Sequence, residues 1–158
     1  MKKNRVGKNV NRSISLYRKH FKLLPRLIWA FNRIVFSCDI PYSAQIHPTV
    51  TWGHNGLGTV VGKNVCIGKD CLIMQEVTLG GSLGKKKLFQ GKVISSPHIG
   101  EHTLIGVGAK IIGPVVIGNN VIIGAGAVVI TDIPDNSVAV GVPAKVIRVA
   151  TVEETMAY

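Results

Sequence analysis

An aliphatic residue returns every six positions along residues 99–134 of this chain. Four positions after each of these openers stands a small or β-branched side chain, and glycine directly follows four of the six openers. The openers are Ile99, Ile105, Ile111, Ile117, Ile123 and Val129. A period of six matches neither the turn of a helix nor the two-residue alternation of a flat strand. It indicates a short strand and a turn repeated on three sides of a coil, with successive coils stacked in parallel.

The same phase extends in both directions from this stretch. Upstream openers are Val61, Ile67, Ile73 and Leu79, and the pattern is expected to reopen at Val93, Val140 and Val146. A β-sandwich rich in Ile, Val and Gly is the alternative, but the strands of a sandwich vary in length and keep no fixed phase. We therefore predict an all-β solenoid, a parallel β-helix whose interior is filled by the openers.

Positive charge is concentrated at the amino terminus. Ten of the nineteen Lys and Arg residues lie between Lys2 and Arg33, and no acidic residue precedes Asp39. The spacing of apolar residues predicts a helix capped by Asn11 or Ser13 and ended by Pro25, with a second apolar face up to Val35. Residues 1–37 are expected to form a basic helical cap on the solenoid. Peripheral association with an anionic membrane surface is a compatible alternative.

Composition restricts the partners and the compartment. The aromatic residues Tyr17, Phe21 and Trp29 have helical spacing, which indicates packing in a core, so no nucleic-acid partner is predicted. Three cysteines without a Cys-x-x-Cys motif or a signal-peptide pattern indicate reduced thiols in a cytoplasmic protein, at most at the inner face of the membrane. We expect the solenoid to span residues 38–148, with a polar tail at 149–158.

Two interruptions of the period predict segments that leave the scaffold. Trp52 and Val61 are nine positions apart, so a glycine-rich bulge carrying His54 must project there. Leu79 and Val93 are fourteen positions apart, which predicts an extruded loop at residues 81–92. Loops held by a rigid scaffold are common places for functional sites.

Four ordered motifs resemble those of the hexapeptide-repeat acyltransferases, in the serine acetyltransferase-like branch that includes capsule and exopolysaccharide O-acetyltransferases. They are HNGLGTVVG from His54, QEVTLGG from Gln75, GVGAK from Gly106 and GVPAK from Gly141. The resemblance covers about residues 39–148. It implies a left-handed parallel β-helix, a homotrimer, and acetyl-CoA bound in the cleft between neighbouring subunits.

The resemblance also implies roles for individual residues. His54 matches the catalytic histidine, and a neutral imidazole can take the proton of an attacking hydroxyl, typically worth about 10²–10⁴-fold in rate. Asp39, fifteen positions earlier, is the candidate carboxylate that orients it, although a structural role at the chain entry is nearly as well supported. The residues expected to bind acetyl-CoA are Gly80, Gly81, Val107, Gly108, Ala125, Pro143 and Lys145.

The sequence says less about the acceptor of the acetyl group than about its donor, acetyl-CoA. The acid that precedes the catalytic histidine in serine acetyltransferases is replaced by Gly53, and their Arg-His pair aligns with Ser95 and Ser96. Because a serine zwitterion needs paired charges, we predict a sugar hydroxyl as the acceptor, in surface-polysaccharide biosynthesis. Serine O-acetylation in cysteine biosynthesis is the alternative.

A metal site is the competing use of the histidines. Trimeric carbonic anhydrases share this kind of scaffold and need three imidazoles on one zinc ion. His98 and His102 have no third partner at a suitable offset. We therefore predict no metal site.

Overall fold

The computed structural model describes residues 4–156. Residues 1–3 of the predicted cap and residues 157–158 of the predicted tail therefore lie outside the described residues. Successive short strands belong in turn to three different sheets, here called sheets 1, 2 and 3, within which the coils pair in parallel. This architecture confirms the parallel, repeat-based fold with a short helical segment at its amino-terminal end.

The strands of each sheet recur in the same order along the chain. Sheet 1 contains β1 (Gln45–Ile46), β4 (Cys66–Ile67), β9 (His98–Ile99) and β12 (Val116–Ile117). Sheet 2 contains β2 (Thr51–Trp52), β5 (Leu72–Ile73), β10 (Leu104–Ile105), β13 (Ile122–Ile123), β15 (Ser137–Gly141) and β16 (Ala144–Val149). Sheet 3 contains β3 (Val60–Val61), β6 (Thr78–Gly80), β11 (Lys110–Ile112) and β14 (Val128–Val129).

The openers of the repeat form three buried ladders. Ile99 pairs with Ile67 and Ile117, while Ile105 pairs with Ile73 and Ile123. All of the predicted openers from Val61 to Leu79 and from Ile99 to Val129 are buried. Burying each such side chain contributes about 1.5–3 kcal/mol, so the ladders are a large part of the apolar stabilisation. The predicted use of the openers as the interior is confirmed.

Thr103 is a polar residue of the interior whose hydroxyl is hydrogen-bonded. The Thr103 hydroxyl, four residues after an opener, lies 3.2 Å from the Glu101 carbonyl and 3.1 Å from the Gly118 carbonyl, so its single proton has two available acceptors. The hydroxyl oxygen also accepts the backbone N–H of Val121 at 3.3 Å. A threonine is tolerated inside the stack because these bonds offset the desolvation of its hydroxyl.

The six-residue repeat is interrupted at three of the predicted openers, Val93, Val140 and Val146. Val93 is 67% exposed because it belongs to an antiparallel hairpin of β7 (Lys87–Phe89) and β8 (Lys92–Ile94) that projects from the stack. At the other end Ile123 pairs with Ala139 rather than with an opener at Val140, so the last coil is two residues short. Val146 lies on β16, which returns antiparallel to β15. The predictions for these three valines are wrong.

Two helices precede the stack. Helix α1 (Arg5–Arg18) is capped by the side chain of Asn4, which accepts the backbone N–H of Gly7 at 3.0 Å. Helix α2 (Leu23–Val35) follows after a turn in which His20 has a positive φ. The predicted caps at Asn11 and Ser13 are wrong. Pro25 does not end a helix but lies in the first turn of α2, where its missing N–H would have no partner within the helix.

The helices also differ from the prediction in what they bury. Helix α1 packs Val6, Val10 and Ile14 into the core of the stack. Tyr17 and Phe21, expected in a core, are exposed. A third helix, α3 (Val152–Met156), lies within the predicted tail. Within residues 4–156, none of the helices combines the length and the apolar character needed to cross a bilayer.

Candidate active site

The turns from sheet 2 to sheet 3 stack along one edge of the molecule, here called the histidine edge (residues 53–58, 74–77, 106–109 and 124–127). Backbone hydrogen bonds join successive turns: Glu76 N–H to Leu57 carbonyl at 2.8 Å, Gly108 N–H to Gln75 carbonyl at 3.0 Å and Gly126 N–H to Val107 carbonyl at 2.8 Å. The structure therefore brings four of the predicted site residues to a single edge: His54, Val107, Gly108 and Ala125.

His54 stands in the bulge that the spacing predicts. The segment Gly53–Gly56 is a short 3₁₀ turn in which His54 and Asn55 both have left-handed backbone angles, with φ of 47° and 57°. The bulge is held at its base because Gly58 N–H donates to the Ser37 carbonyl at 2.9 Å. The imidazole is exposed, so a substrate can reach it.

Gly53 has no room for a side chain. A Cβ atom built at this position would lie 2.9 Å from the Met74 sulfur and 3.1 Å from the Met74 Cα. Met74 therefore occupies the space that the side chain of an acid at position 53 would need.

Asp39 is bound to helix α2. Its Oδ1 accepts the indole N–H of Trp29 at 2.8 Å, and its Oδ2 forms an ion pair with Arg33 at 3.3 Å. The Arg33 guanidinium also lies over the Trp29 ring at 5.6 Å. Within the described residues no hydrogen bond joins Asp39 to His54, so an orienting role for Asp39 stays a prediction.

Gly80 and Gly81 lie on a different edge, formed by the turns from sheet 3 to sheet 1. Gly80 ends β6, and its carbonyl accepts the N–H of Gly113 at 2.8 Å. A Cβ at Gly81 would lie 2.7 Å from the Ser95 carbonyl oxygen, so glycine lets the two ends of the extruded segment meet. Sheet 3 separates these glycines from His54 within one chain.

The histidine edge has an open surface beyond His54. Gly108 and Gly126 have φ of 68° and 67°, and a Cβ at either position would meet nothing within 4 Å. Lys110 donates its ammonium to the Gly108 carbonyl at 3.2 Å, which places a cation beside this surface. Pro143 and Lys145 are exposed at the hairpin of β15 and β16, the opposite end of the stack from α1.

The β7–β8 hairpin covers part of sheet 1 and leaves a cleft of about 520 Å³. Cys66, Lys92, Ser95, Ser96 and His98 are among its lining residues. The His98 ring packs on Phe89 at 4.9 Å between ring centroids, and burial lowers the pKa of this imidazole.

The three thiols are poor nucleophiles. Burial raises the pKa of Cys38 to about 11 and that of Cys71 to about 12. Burial also raises the pKa of Cys66, although Lys92 opposes this shift. Because the thiolate is the reactive form, none of them competes with His54 as a catalytic group. Nor does any group of three His, Cys, Asp or Glu side chains among residues 4–156 form a metal site.

Comparison with known proteins decides the family. Residues 96–131 match the model of the bacterial transferase hexapeptide (six repeats). A serine acetyltransferase from Helicobacter pylori is 38% identical over 133 residues, which cover 84% of this chain and 74% of that protein. This chain belongs to the hexapeptide-repeat acyltransferase family. A serine acetyltransferase from Synechococcus elongatus is also 38% identical, over 132 residues that cover 84% of this chain but 51% of that protein. The chain thus spans only about half the length of some of its relatives.

Solved structures of this hexapeptide-repeat family have the same fold as this chain. The Neisseria gonorrhoeae serine acetyltransferase in complex with serine superposes with a TM-score of 0.77 at 34% identity, covering 89% of this chain and 54% of that one. A serine acetyltransferase in complex with CoA gives a TM-score of 0.76 at 31% identity, covering 90% of this chain and 55% of that one.

These findings correct the predicted acceptor. The relatives and the solved structures compared above are serine acetyltransferases, so the assignment to a sugar hydroxyl and to polysaccharide biosynthesis is wrong. That assignment rested on the absence of charges at Gly53, Ser95 and Ser96, three positions that carry less weight than similarity over most of the chain. The relatives' names give no support to a location at the membrane.

Sequence reasoning missed three residues near the predicted site of this acyltransferase. Trp29 and Arg33 reach Asp39 from α2, and Met74 closes the space beside Gly53. The first two contacts join separate elements, so no local pattern indicates them. The contact between Gly53 and Met74 could have been predicted from the sequence. Met74 follows the opener Ile73 by one position, just as Gly53 follows Trp52 one coil earlier.

Proposed function

We propose that this chain transfers an acetyl group from acetyl-CoA to the hydroxyl of serine. The observation that carries the proposal is the exposed imidazole of His54 in a strained glycine-rich turn, on the edge that also presents Gly108 and Ala125, with Lys110 beside it. Similarity to serine acetyltransferases over 84% of the chain supports the choice of acceptor. Left-handed backbone angles at non-glycine residues are costly and often mark functional sites.

In the proposed reaction His54 acts as the general base. Its neutral imidazole accepts the proton of the serine hydroxyl as that oxygen attacks the thioester carbonyl carbon. The carbon–sulfur bond then breaks, and the imidazolium returns the proton to the thiolate of CoA. The products are O-acetylserine and CoA. Backbone N–H groups at Gly80 and Gly81 are proposed to stabilise the negative charge on the carbonyl oxygen.

The assembly follows from the same proposal. Because sheet 3 separates Gly80 and Gly81 from His54, we propose a homotrimer in which these glycines face His54 of a neighbouring subunit. The coils are proposed to close into a left-handed β-helix spanning residues 38–148. Val107, Gly108 and Ala125 would contact the pantetheine arm, and Pro143 and Lys145 the nucleotide end. A cytoplasmic location, where acetyl-CoA is available, is part of this proposal.

The charges that hold serine are proposed to lie in the hairpin cleft. Lys92 and Lys63 line this cleft together with Ser95, Ser96 and His98. An ammonium group there can bind the serine carboxylate in place of the arginine at the position of Ser95. Asp39 remains the candidate for orienting His54, and its carboxylate would have to leave Trp29 or Arg33 to do so.

The test is thiol release from acetyl-CoA in the presence of serine, for wild type and His54→Asn. Asparagine tolerates the left-handed backbone of position 54 and removes only the imidazole. We expect a loss in kcat of at least about a hundredfold, the lower range for a general base. His102→Asn is the matched control, because His102 also has a left-handed backbone, with φ of 52°.

Two results would contradict the proposal. A folded His54→Asn enzyme with the wild-type rate would remove this imidazole from the reaction. If the protein binds acetyl-CoA but does not acetylate serine, even at serine concentrations that saturate serine acetyltransferases, the proposed acceptor is wrong. The proposed acetyl-CoA site would still stand.

A further inference from the structure

Helix α2 turns its apolar side chains towards solvent. The α2 face comprises six exposed residues: Leu23, Leu24, Leu27, Phe31, Ile34 and Val35. Ile34 is 81% exposed and Leu23 is 71% exposed. The helix of a water-soluble domain normally directs such a stripe to the core. An exposed stripe of this size indicates an interaction surface.

The opposite side of α2 explains this orientation. Pro25 and Asn32 are the buried residues of the helix. The Pro25 carbonyl accepts the buried hydroxyl of Ser13 at 3.1 Å, and the Asn32 carbonyl oxygen of the side chain accepts Asn9 Nδ2 at 2.8 Å. The polar side of α2 therefore faces α1 through specific hydrogen bonds. A rotation that buried the apolar side would break both of them.

Cations border this apolar surface. Lys19 and Lys22 lie in or beside the turn before α2, and Arg26 lies within the helix; all three are exposed. Exposed Arg18 adjoins the same turn. Among residues 4–156 none of these four cations forms an ion pair with a carboxylate, and the sequence contains no acidic residue before Asp39.

We propose that the α2 face binds the surface of an anionic lipid bilayer. A bilayer supplies both complements at once: acyl chains for Leu27 and Ile34, and anionic headgroups for Lys22 and Arg26. Helix α2 has 13 residues, so it is about 20 Å long and suits a position along the interface. Two copies meeting through this face would bring like charges together, which disfavours a symmetric protein contact.

The test is co-sedimentation of the full chain with vesicles of equal parts phosphatidylglycerol and phosphatidylcholine, compared with phosphatidylcholine alone. We expect binding to the anionic vesicles only, weakened by high salt because salt screens the charges. Lys22→Gln with Arg26→Gln should weaken binding about fivefold for each charge removed. Leu27→Ser with Ile34→Ser should weaken it about tenfold or more.

The matched control is Leu83→Ser with Leu88→Ser, which removes two exposed leucines from the extruded segment and should leave binding unchanged. Circular dichroism establishes that each variant keeps its helices, and sedimentation velocity gives its oligomeric state. Three results would overturn the proposal. They are no binding to anionic vesicles, equal binding by the Leu27→Ser/Ile34→Ser variant, and dissociation of a wild-type oligomer by that variant, which would make the face a contact between subunits.

Discussion

The contact between Gly53 and Met74 restricts which residue can occupy position 53, next to the candidate catalytic residue His54. A Cβ at Gly53 would approach the Met74 Cα to 3.1 Å, and a backbone atom cannot move aside as a side-chain tip can. The acid expected at this position from the serine acetyltransferase pattern would therefore require the Met74 side chain to move and the turn to shift by a few tenths of an ångström. If this chain acetylates serine, the group that binds the serine ammonium must come from elsewhere.

Substitution of Gly53 tests this packing. We expect Gly53→Ala to lower the free energy of unfolding by about 1–3 kcal/mol, as overpacked positions usually do. Denaturation by urea measures the change, and Met74→Ala in the same chain should restore part of the loss by removing the sulfur. Wild-type stability of Gly53→Ala would show that the turn has room for a side chain.

Asp39 shows why some features of the site could not be predicted from sequence. Its position fifteen residues before His54 suggested that one coil would bring the two side chains together. The backbone does enter the stack there, since Asp39 N–H donates to Thr59 carbonyl and the Asp39 carbonyl accepts Val61 N–H, both at 2.8 Å. The carboxylate is nevertheless taken by Trp29 and Arg33, which belong to another element. Such a contact depends on how α2 packs, which no local spacing reports.

At the scale of the elements, the coil was predictable because a fixed period determines which side chains face inward. Ile99 to Val129 keep one phase, and all six openers are buried. The phase fails at Val93 and at Val140 for different reasons. A hairpin replaces the coil at Val93, and at Val140 the preceding Ile133 already pairs with Ile117, which shortens the last coil.

The core ladders give a prediction for stability. Ile105 is fully buried between Ile73 and Ile123, so Ile105→Ala should cost about 2–5 kcal/mol, the loss expected for a large-to-small core change. Ile130→Ala removes the same atoms from a side chain that is exposed and should stay within about 0.5 kcal/mol of wild type. Denaturant unfolding measures both. Equal losses would contradict the assignment of the repeat phase.

The attachment of α3 gives a prediction for pH. The Glu154 carboxylate accepts both guanidinium nitrogens of Arg148, at 2.7 and 2.9 Å, and the Thr151 N–H at 2.9 Å. The hydrogen bonds from Arg148, followed by the one from the Thr151 backbone, lower the pKa of Glu154 to about 2. Because the folded pKa lies below the ordinary carboxyl value, this contact is complete above that value and is lost as the pH falls towards 2.

An NMR titration of the Glu154 side chain checks this expectation. Arg148→Gln should return the pKa of Glu154 towards the ordinary carboxyl range, while Arg26→Gln, on a distant helix, should leave it unchanged. A wild-type midpoint in the ordinary range would show that the ion pair does not form in solution.

At the scale of the whole molecule, the three thiols report on folding. Cys38 and Cys71 are buried, with pKa values raised to about 11 and 12, whereas Cys66 is half-buried at the hairpin cleft. At mildly alkaline pH we expect a disulfide reagent to modify Cys66 first, and the other two only as the chain unfolds. Mass spectrometry identifies the modified cysteine, and Cys66→Ser should abolish the early phase. Early modification of Cys71 would mean that the stack opens locally.

The position of α1 has a consequence for association between copies. Its buried Val6, Val10 and Ile14 cover the first coil, while β16 folds back along the last one with reversed direction. Neither end offers the pairing that another coil of the same kind would need, so the stack cannot be lengthened by adding a second molecule end to end. End-to-end strand pairing between copies is thereby blocked, and the proposed trimer instead uses the flanks, where the histidine edge of one copy would meet the glycines of another.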